Sequence, residues 1–455
     1  MQDATEGSRA RAAQPAPVPQ RDRLAALDVL RGAALLGILV INIQLFAGSP
    51  SVAFNVPLRV ISSSGEQPEL NLVVMAIQWL LFEGKMRALF SMLFGASALL
   101  LLQRLEQRHD AGMAAAIFHR RNLWLLLIGA LHGTLIWSGD VLLFYASGAL
   151  LVLYPLRHLP GRRLVAIGLS VALVGGTFGI SQAMNIPASW ATAQLEADGR
   201  GALARGALPT AAQLVALHAA EAARSAQLKA LATPMPEQPR SYVSSLPAAA
   251  YREFVTSIFA SGWILETLGL LIAGMGLFRT GFLTGQLTSA TYAKVALAGY
   301  GIAWSIVLGG LVQASHYDFS SSVTTVAMML PYEFQAIPGC LANASILLLL
   351  VRQGALMPLQ RCLAAVGRMA LTNYLFTSIL CRTLFAWTYL LPVDTLEHYQ
   401  MMLVVIGVWT FNIVFSLLWL RVFEFGPLEW AWRSLTYWKR QPIVLARMRP
   451  RAPLC

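Results

Sequence analysis

Charge is what this sequence has least of. Only 12% of its 455 residues are Asp, Glu, Lys or Arg, against about 25% in soluble domains, while 56% are hydrophobic. With a mean hydropathy of +0.59, such a chain cannot cover a soluble surface and reads as a polytopic membrane protein. Cysteine is scarce too. Cys340, Cys362, Cys381 and Cys455 make no C-x-x-C pair, which leaves no thiol redox motif, and they read as inert thiols. The soluble-enzyme signatures are missing: no G-x-S-x-G elbow, Walker loop, dinucleotide fingerprint or H-E-x-x-H. The histidines are too scattered for a metal site, so no metal is expected. Met1 to Gln20, rich in Ala, Pro, Gln and Arg, has no apolar core before a cleavage site; it reads as a disordered tail, not a signal peptide. The net charge of +12 sits in short loops and at the termini, which suits anionic lipid and excludes a nucleic-acid reader.

What is present is a succession of apolar runs, the expectation being an all-α, polytopic integral membrane protein of about ten transmembrane helices. A tail at 1–22 precedes five spans in 23–182. In that block Glu69 to Phe82 reads as an interfacial or re-entrant helix, and Met86 to Leu102 as a spanning one. Residues 183–253, rich in Ala, Gln and Pro, are expected to form an extracytoplasmic excursion of amphipathic helices. Five more spans fill 254–438, among them Val323 to Val351 and Leu363 to Leu391, and a basic tail closes the chain at 439–455. The aromatic and basic GPLEWAWRSLTYWKRQP has the composition of an interfacial anchor. If the N-terminus is cytoplasmic, the inside loops hold clusters such as Arg104, Arg108, Arg120 and Arg121, while the short outside loops hold only Arg59. The expectation is a multi-pass protein of a bacterial inner membrane with both termini cytoplasmic.

Several polar groups interrupt the apolar runs. The stretch Arg23 to Phe46 carries Asp28 and Arg31, three apart on one helix face, and Asn42 near its far end. The first two are either a local ion pair at a helix start or groups facing a protein-lined cavity. His132 is the one histidine within a span, Asp140 opens the next helix and Tyr145 follows on it. A neutral imidazole can take a proton near pH 7 when a carboxylate orients it, although Asp140 can equally cap its own helix. In FEGKMRALFSMLFG, the cluster Glu83, Lys85 and Arg87 is either an i,i+4 pair with a neighbour or a wall for a polar substrate. Glu266 is buried mid-span, Asn373 and Tyr374 lie within the membrane, and MLPYEFQAIPG predicts a broken helix around Glu333.

The pattern R-x-x-x-L-D-x-L-R-G-x-A-L-L-G-I-L-x-x-N, from Arg23 to Asn42, resembles the start of the YeiB-like bacterial membrane proteins, which carry a C-terminal domain of unknown function, number 418. The blocks FEGKMRALFSMLFGAS, LHGTLIWSGDVLLFYA, LGLLIAGMGLFRTGFL, VGRMALTNYLFTS and FGPLEWAWRSLTYW resemble that family in the same order. More distantly the first stretch is similar to the heparan-sulfate acetyltransferase group. That similarity implies a pore fed with acyl-CoA, as co-substrate, from the cytoplasm, the acyl group passing to a hydroxyl or amine at the outer face. It also makes Asn42 the asparagine of the transfer centre, with Asp28 and Arg31 as the D-x-x-R-G signature. The group's histidine shortly after that asparagine is absent, for Ile43 to Asn71 holds none.

The expected roles are therefore catalytic for His132, Asp140 and Asn42, acyl-CoA binding for Asp28, Arg31, Arg121 and Arg368, and substrate binding for Glu83, Lys85, Arg87 and Tyr145. Expected partners are membrane lipids and a small-molecule or glycan acceptor, with no nucleic acid and a homodimer left open. The competing reading is a small-molecule transporter or exporter, although no internal repeat is visible.

Overall fold

A computed structural model describes residues 20–47, 67–232, 246–248, 250–251, 261–388, 390–391 and 396–444. Most of the N-terminal tail, the loop after the first helix, the start of the span expected from Phe254 and the end of the basic tail lie outside the described residues. The described chain is helical, with one isolated bridge between Phe423 and Val444. We number the helices α1 (Gln20–Ala47), α2 (Pro68–Ile77), α3 (Lys85–Glu106), α4 (Ala111–Leu135), α5 (Leu142–Leu156) and α6 (Gly161–Met184). Next come α7 (Ile186–Ala204), α8 (Ala211–Ala232), α9 (Ser261–Arg279), α10 (Ser289–His316) and α11 (Ser321–Thr324). The last are α12 (Tyr332–Gln353), α13 (Met357–Arg368), α14 (Ala370–Trp387), α15 (His398–Val422) and α16 (Pro427–Tyr437).

Among the described residues, six helices are long and apolar enough to cross a membrane, seven if a bent pair counts as one. The protein is an all-α polytopic membrane protein. Of the other expected spans, the one at 254 begins outside the described residues, and α4 and α5 fall short for a physical reason. Helix α4 has 25 residues, but Arg120, Arg121, Asn122 and His132 dilute its apolar content, and α5 is shorter. Of these groups, Arg121, Asn122 and His132 belong to the site described below.

Two expected spans are not straight. Leu363 to Leu391 is the pair α13 and α14, which meet at 86° around Met369. Val323 to Val351 is interrupted at Leu330–Pro331, where a π-helical turn (Thr325–Met329) gives way to α12, and Pro338 is carried inside α12. Conversely α2, a π-helical turn (Gln78–Phe82) and α3 run on as one apolar stretch of 39 residues, through a break at Glu83–Gly84 where Gly84 has φ +72°. At about 1.5 Å per residue this exceeds what one crossing of a ~30 Å core requires. In the excursion, α7 is tied back to the bundle: Glu196, fully buried, accepts from Ser320 Oγ and Ser322 Oγ at 2.6 Å each.

Without a hydrophobic drive between helices in lipid, close packing holds such a bundle, and small residues permit it. At the α1–α13 crossing, a Cβ on Gly32 would fall on the Leu363 carbonyl, and one on Gly367 on the Asp28 carbonyl. The α3–α9 crossing repeats this, Gly95 against the Leu271 carbonyl and Gly274 against that of Met92. The backbones touch there, so a methyl group has no room. Gly95→Ala is expected to destabilise the protein by about 1–3 kcal/mol through overpacking. Gly407→Ala, where a Cβ meets nothing within 4 Å, is expected to leave stability unchanged or slightly raised. Thermal melts of both variants in one detergent, read by size-exclusion chromatography, check the pair; equal melting would sink the close-packing account.

Candidate functional site

The 86° corner brings four arginines from four helices around one cavity of about 300 Å³. They are Arg31 of α1, Arg121 of α4, Arg368 at the end of α13 and Arg433 of α16, and Glu429 of α16 stands in the same wall. The cavity also has aromatic and apolar lining from Phe90, Phe94, Leu142, Tyr145 and Tyr374. It is amphiphilic: cationic donors together with apolar surface, at the lower end of the usual size for a small-molecule pocket.

The arginines are not equivalent. Arg31 donates to Asp28 Oδ1 at 2.7 Å, to Ser97 Oγ at 2.9 Å and to the Gly367 carbonyl at 3.3 Å, so a carboxylate balances its charge. Arg121 lies over the Trp432 ring, 3.6 Å from its centroid, and the Trp432 indole N–H donates to the Arg121 carbonyl at 2.8 Å. Arg433 lies over Phe425 at 4.7 Å, and Arg368 donates to the Glu424 carbonyl at 3.2 Å. A guanidinium stacked on a ring keeps in-plane N–H donors for an anion. Glu429 faces inward for another reason. The corner exposes the first amides of α14, and Glu429 accepts from Leu371 N at 2.6 Å, Thr372 N at 3.1 Å and Thr372 Oγ1 at 2.5 Å. Burial lifts its carboxyl above the ordinary range, against the pull of those hydrogen bonds.

Beside the cavity lies a buried polar trio. His132 Nδ1 donates to Asp140 Oδ1 at 2.8 Å, both side chains fully buried. Asp140 does both things open to it, since its Oδ2 accepts from Leu143 N at 2.8 Å and so caps α5. Tyr374 donates to Asp140 Oδ1 at 3.3 Å, accepts from Val141 N at 3.2 Å, and has its ring 5.1 Å from the His132 ring. A carboxylate can only accept, so in the neutral ring the proton is on Nδ1 and the lone pair on Nε2. Nε2 is buried with no hydrogen-bond partner among the described residues. This is the arrangement of an oriented general base.

Tyr374 also lines a second, smaller cavity of about 20 Å³ with Asn42, Phe46, Trp137, Thr377 and Ser378. That is room for about one water. Asn42 thus stands across Tyr374 from the arginine cavity.

Of the residues singled out from sequence, Arg31, Arg121, Arg368 and Tyr145 share the large cavity, Asp28 supports it through Arg31, and His132 and Asp140 adjoin it through Tyr374. Glu83, Lys85 and Arg87 are not in the lining of either cavity and belong to a separate buried cluster with Glu266, Tyr332 and Gln335. Sequence reasoning missed Ser97, Asn122, Glu429, Trp432 and Arg433. The last three sit in a segment whose composition reads as an anchor, and no local pattern marks a carboxylate that caps a helix from the far end of the chain. Among the described residues no group of three or more His, Cys, Asp or Glu is placed to hold a metal ion.

A family model described as a protein of unknown function (DUF418) matches residues 277–439, which hold Arg368, Tyr374, Glu429, Trp432 and Arg433. Over 437 residues the chain is 29% identical to "Uncharacterized protein YeiB" of Escherichia coli (strain K12), covering 93% of this chain and 98% of that protein. It is 27% identical over 437 residues to "Uncharacterized protein YxaH" of Bacillus subtilis (strain 168), covering 94% and 98%. A third similar protein, "Uncharacterized 39.9 kDa protein in amylase 3'region" of Bacillus acidopullulyticus, is 25% identical over 443 residues, covering 95% and 99%.

The trio yields a stability prediction. Asp140→Ala strips His132 Nδ1 and Leu143 N of their buried acceptor and is expected to cost about 3–5 kcal/mol. Tyr374→Phe removes two long hydrogen bonds, the one given to Asp140 and the one taken from Val141 N, and is expected to cost about 1–2 kcal/mol. Detergent melts of the two variants decide it: equal losses would mean that Asp140 does not hold the trio together.

Proposed function

With the chain a YeiB-like membrane protein that carries the DUF418 region, we propose that it transfers an acyl group from acyl-CoA at the cytoplasmic face of a bacterial inner membrane to a hydroxyl or amine at the outer face. The observation that carries this reading is Tyr374, which lines both the four-arginine cavity and the Asn42 cavity and hydrogen-bonds the carboxylate that holds His132. The excess of Lys and Arg in alternate short loops supports an orientation with both termini, and with them the arginine end of the bundle, in the cytoplasm.

On this reading Arg121, Arg368 and Arg433 bind CoA phosphates through charge-assisted hydrogen bonds, and Arg31, fixed by Asp28, completes the cationic rim. A cavity of about 300 Å³ takes the pantetheine arm and acyl end and leaves the nucleotide at the mouth. Asn42 donates to the thioester carbonyl oxygen as charge develops there. His132 Nε2 takes the proton of the acceptor O–H or N–H, whose heteroatom bonds to the acyl carbon as the C–S bond breaks. The CoA thiolate then recovers that proton from His132. Tyr145 borders the acyl end, and Asp140 keeps the imidazole in the required tautomer.

One observation favours the alternative, a small-molecule exporter: two broken helices meet at Glu83 and Tyr332, as discontinuous helices do at transporter binding sites. The test separates the two. Calorimetric titration of acetyl-, succinyl- and longer acyl-CoA into nanodisc-embedded protein is expected to show saturable binding, weakened at least tenfold in Arg368→Gln. Product formation with a supplied acceptor is expected to fall about 10²–10⁴-fold in His132→Gln, with CoA affinity retained. No binding of any acyl-CoA to well-folded protein would remove the transferase reading and leave transport.

A further inference from the structure

The separate cluster lies where the two broken helices cross. On one side the chain passes from the π-helical turn Gln78–Phe82 through Glu83–Gly84 into α3; on the other, from the π-helical turn Thr325–Met329 through Leu330–Pro331 into α12. Tyr332 donates to Glu83 Oε1 at 3.0 Å, and Lys85, fully buried, donates to the Trp79 carbonyl at 2.8 Å and to Gln335 Oε1. Next to it, Arg87 forks onto Glu266 of α9, Nη1 to Oε2 at 2.8 Å and Nη2 to Oε1 at 2.7 Å. A bidentate pair of this kind satisfies one guanidinium with one carboxylate.

Glu333 is the group left over. It is 2% exposed and packs so closely on α6 that a Cβ at Gly176 would meet its carboxyl, while one at the adjacent Gly175 would meet the Glu266 backbone. Its Oε2 has no hydrogen-bond partner among the described residues, and neither does Gln335 Nε2 or Trp79 Nε1 close by in the chain fold. Among the described residues, the charged groups facing this junction from the surrounding elements are Glu83, Lys85 and Arg87 at the α3 side, Glu266 on α9 and Glu333 on α12, with Tyr332 and Cys340 on α12 and, from α5, Tyr145 as the neutral titratable groups. Among the described residues two cations therefore face three carboxylates, and an uncompensated charge inside a membrane bundle is too costly to leave.

We propose that Glu333, at the crossing of the two broken helices, is the binding site for one monovalent cation, a proton or Na⁺, held against the Arg87–Glu266 pair. The imbalance and the unpartnered oxygen point to the same missing unit of positive charge. A route for its exchange begins at Tyr145, which lines the arginine cavity and shares a 2.9 Å hydrogen bond with Ser91, one turn along α3 from Arg87. The site is independent of acyl transfer, since none of its members lines either cavity except Tyr145.

Full-length protein in nanodiscs, studied by infrared spectroscopy in H₂O and D₂O at neutral pH, separates the two cations. For a proton, the wild type is expected to show a protonated-carboxyl C=O band that shifts in D₂O and is missing from Glu333→Gln. For Na⁺ that band is absent, and the melting temperature is expected to rise in NaCl over choline chloride, a response lost in Glu333→Gln. Neither response in folded wild type, or a carboxyl band undiminished or a NaCl response retained in Glu333→Gln, overturns the site. Stability gives a second reading. Glutamine imitates the cation-loaded carboxyl, so Glu333→Gln is expected to melt close to wild type, well above Glu266→Gln. A Glu333→Gln protein that melts as low as Glu266→Gln, or does not fold, overturns the site as well, because Glu333 would then be one half of a permanent ion pair.

Discussion

A helix that turns through 86° inside a protein strands the first amides of its second half, and those amides need an acceptor. In this bundle the acceptor is the Glu429 carboxylate, delivered by the last described helix to Leu371 and Thr372. Much else is tied to that contact. The corner ends α13 at Arg368 and starts α14 so that Tyr374 reaches Asp140. It also brings Gly367 against the α1 backbone, which fixes Arg31 over Ser97. With α14 anchored by Glu429, α16 lays Trp432 beneath Arg121 and adds Arg433 to the cavity wall. The arginine cavity is therefore a product of the corner, and the corner depends on an acid from the end of the chain.

The second constraint is the cost of charge in an apolar bundle. The protein meets it by close pairing: Asp28 with Arg31, Glu266 with Arg87, Asp140 with His132, each on a contact of 2.7–2.8 Å. Pairs of this kind are weak evidence of stability, because desolvation cancels most of their attraction. Their presence is better explained by use. Around the arginine cavity, cationic groups outnumber the carboxylate in the wall, which fits an anionic ligand. At the crossing of the broken helices the described carboxylates outnumber the described cations, which fits a small cation. The two sites carry opposite surpluses and touch through Tyr145 and Ser91.

The sequence by itself determined the membrane class, the all-α architecture and most of the cavity's arginines. Scarcity of charge and runs of about 20 apolar residues are properties of composition and length, so they need no partner to be read. Asp28 with Arg31 was equally legible, because spacing of three along a helix fixes a shared face. His132 and Asp140 were legible as candidates because an ionisable group within an apolar run is conspicuous. Tertiary structure alone decided which of these groups meet. The apolar run from Leu363 to Leu391 has the hydropathy of a straight span, and hydropathy carries no information about a backbone that folds over at Met369. The allocation of Arg87 to Glu266 on α9, and of Tyr374 to Asp140, joins residues far apart in the chain, and a single sequence has no term for such contacts. Burial left Glu333 with an unpartnered oxygen, and burial is a property of the packed bundle: the same glutamate in water would have had its hydrogen bonds without asking anything of the fold.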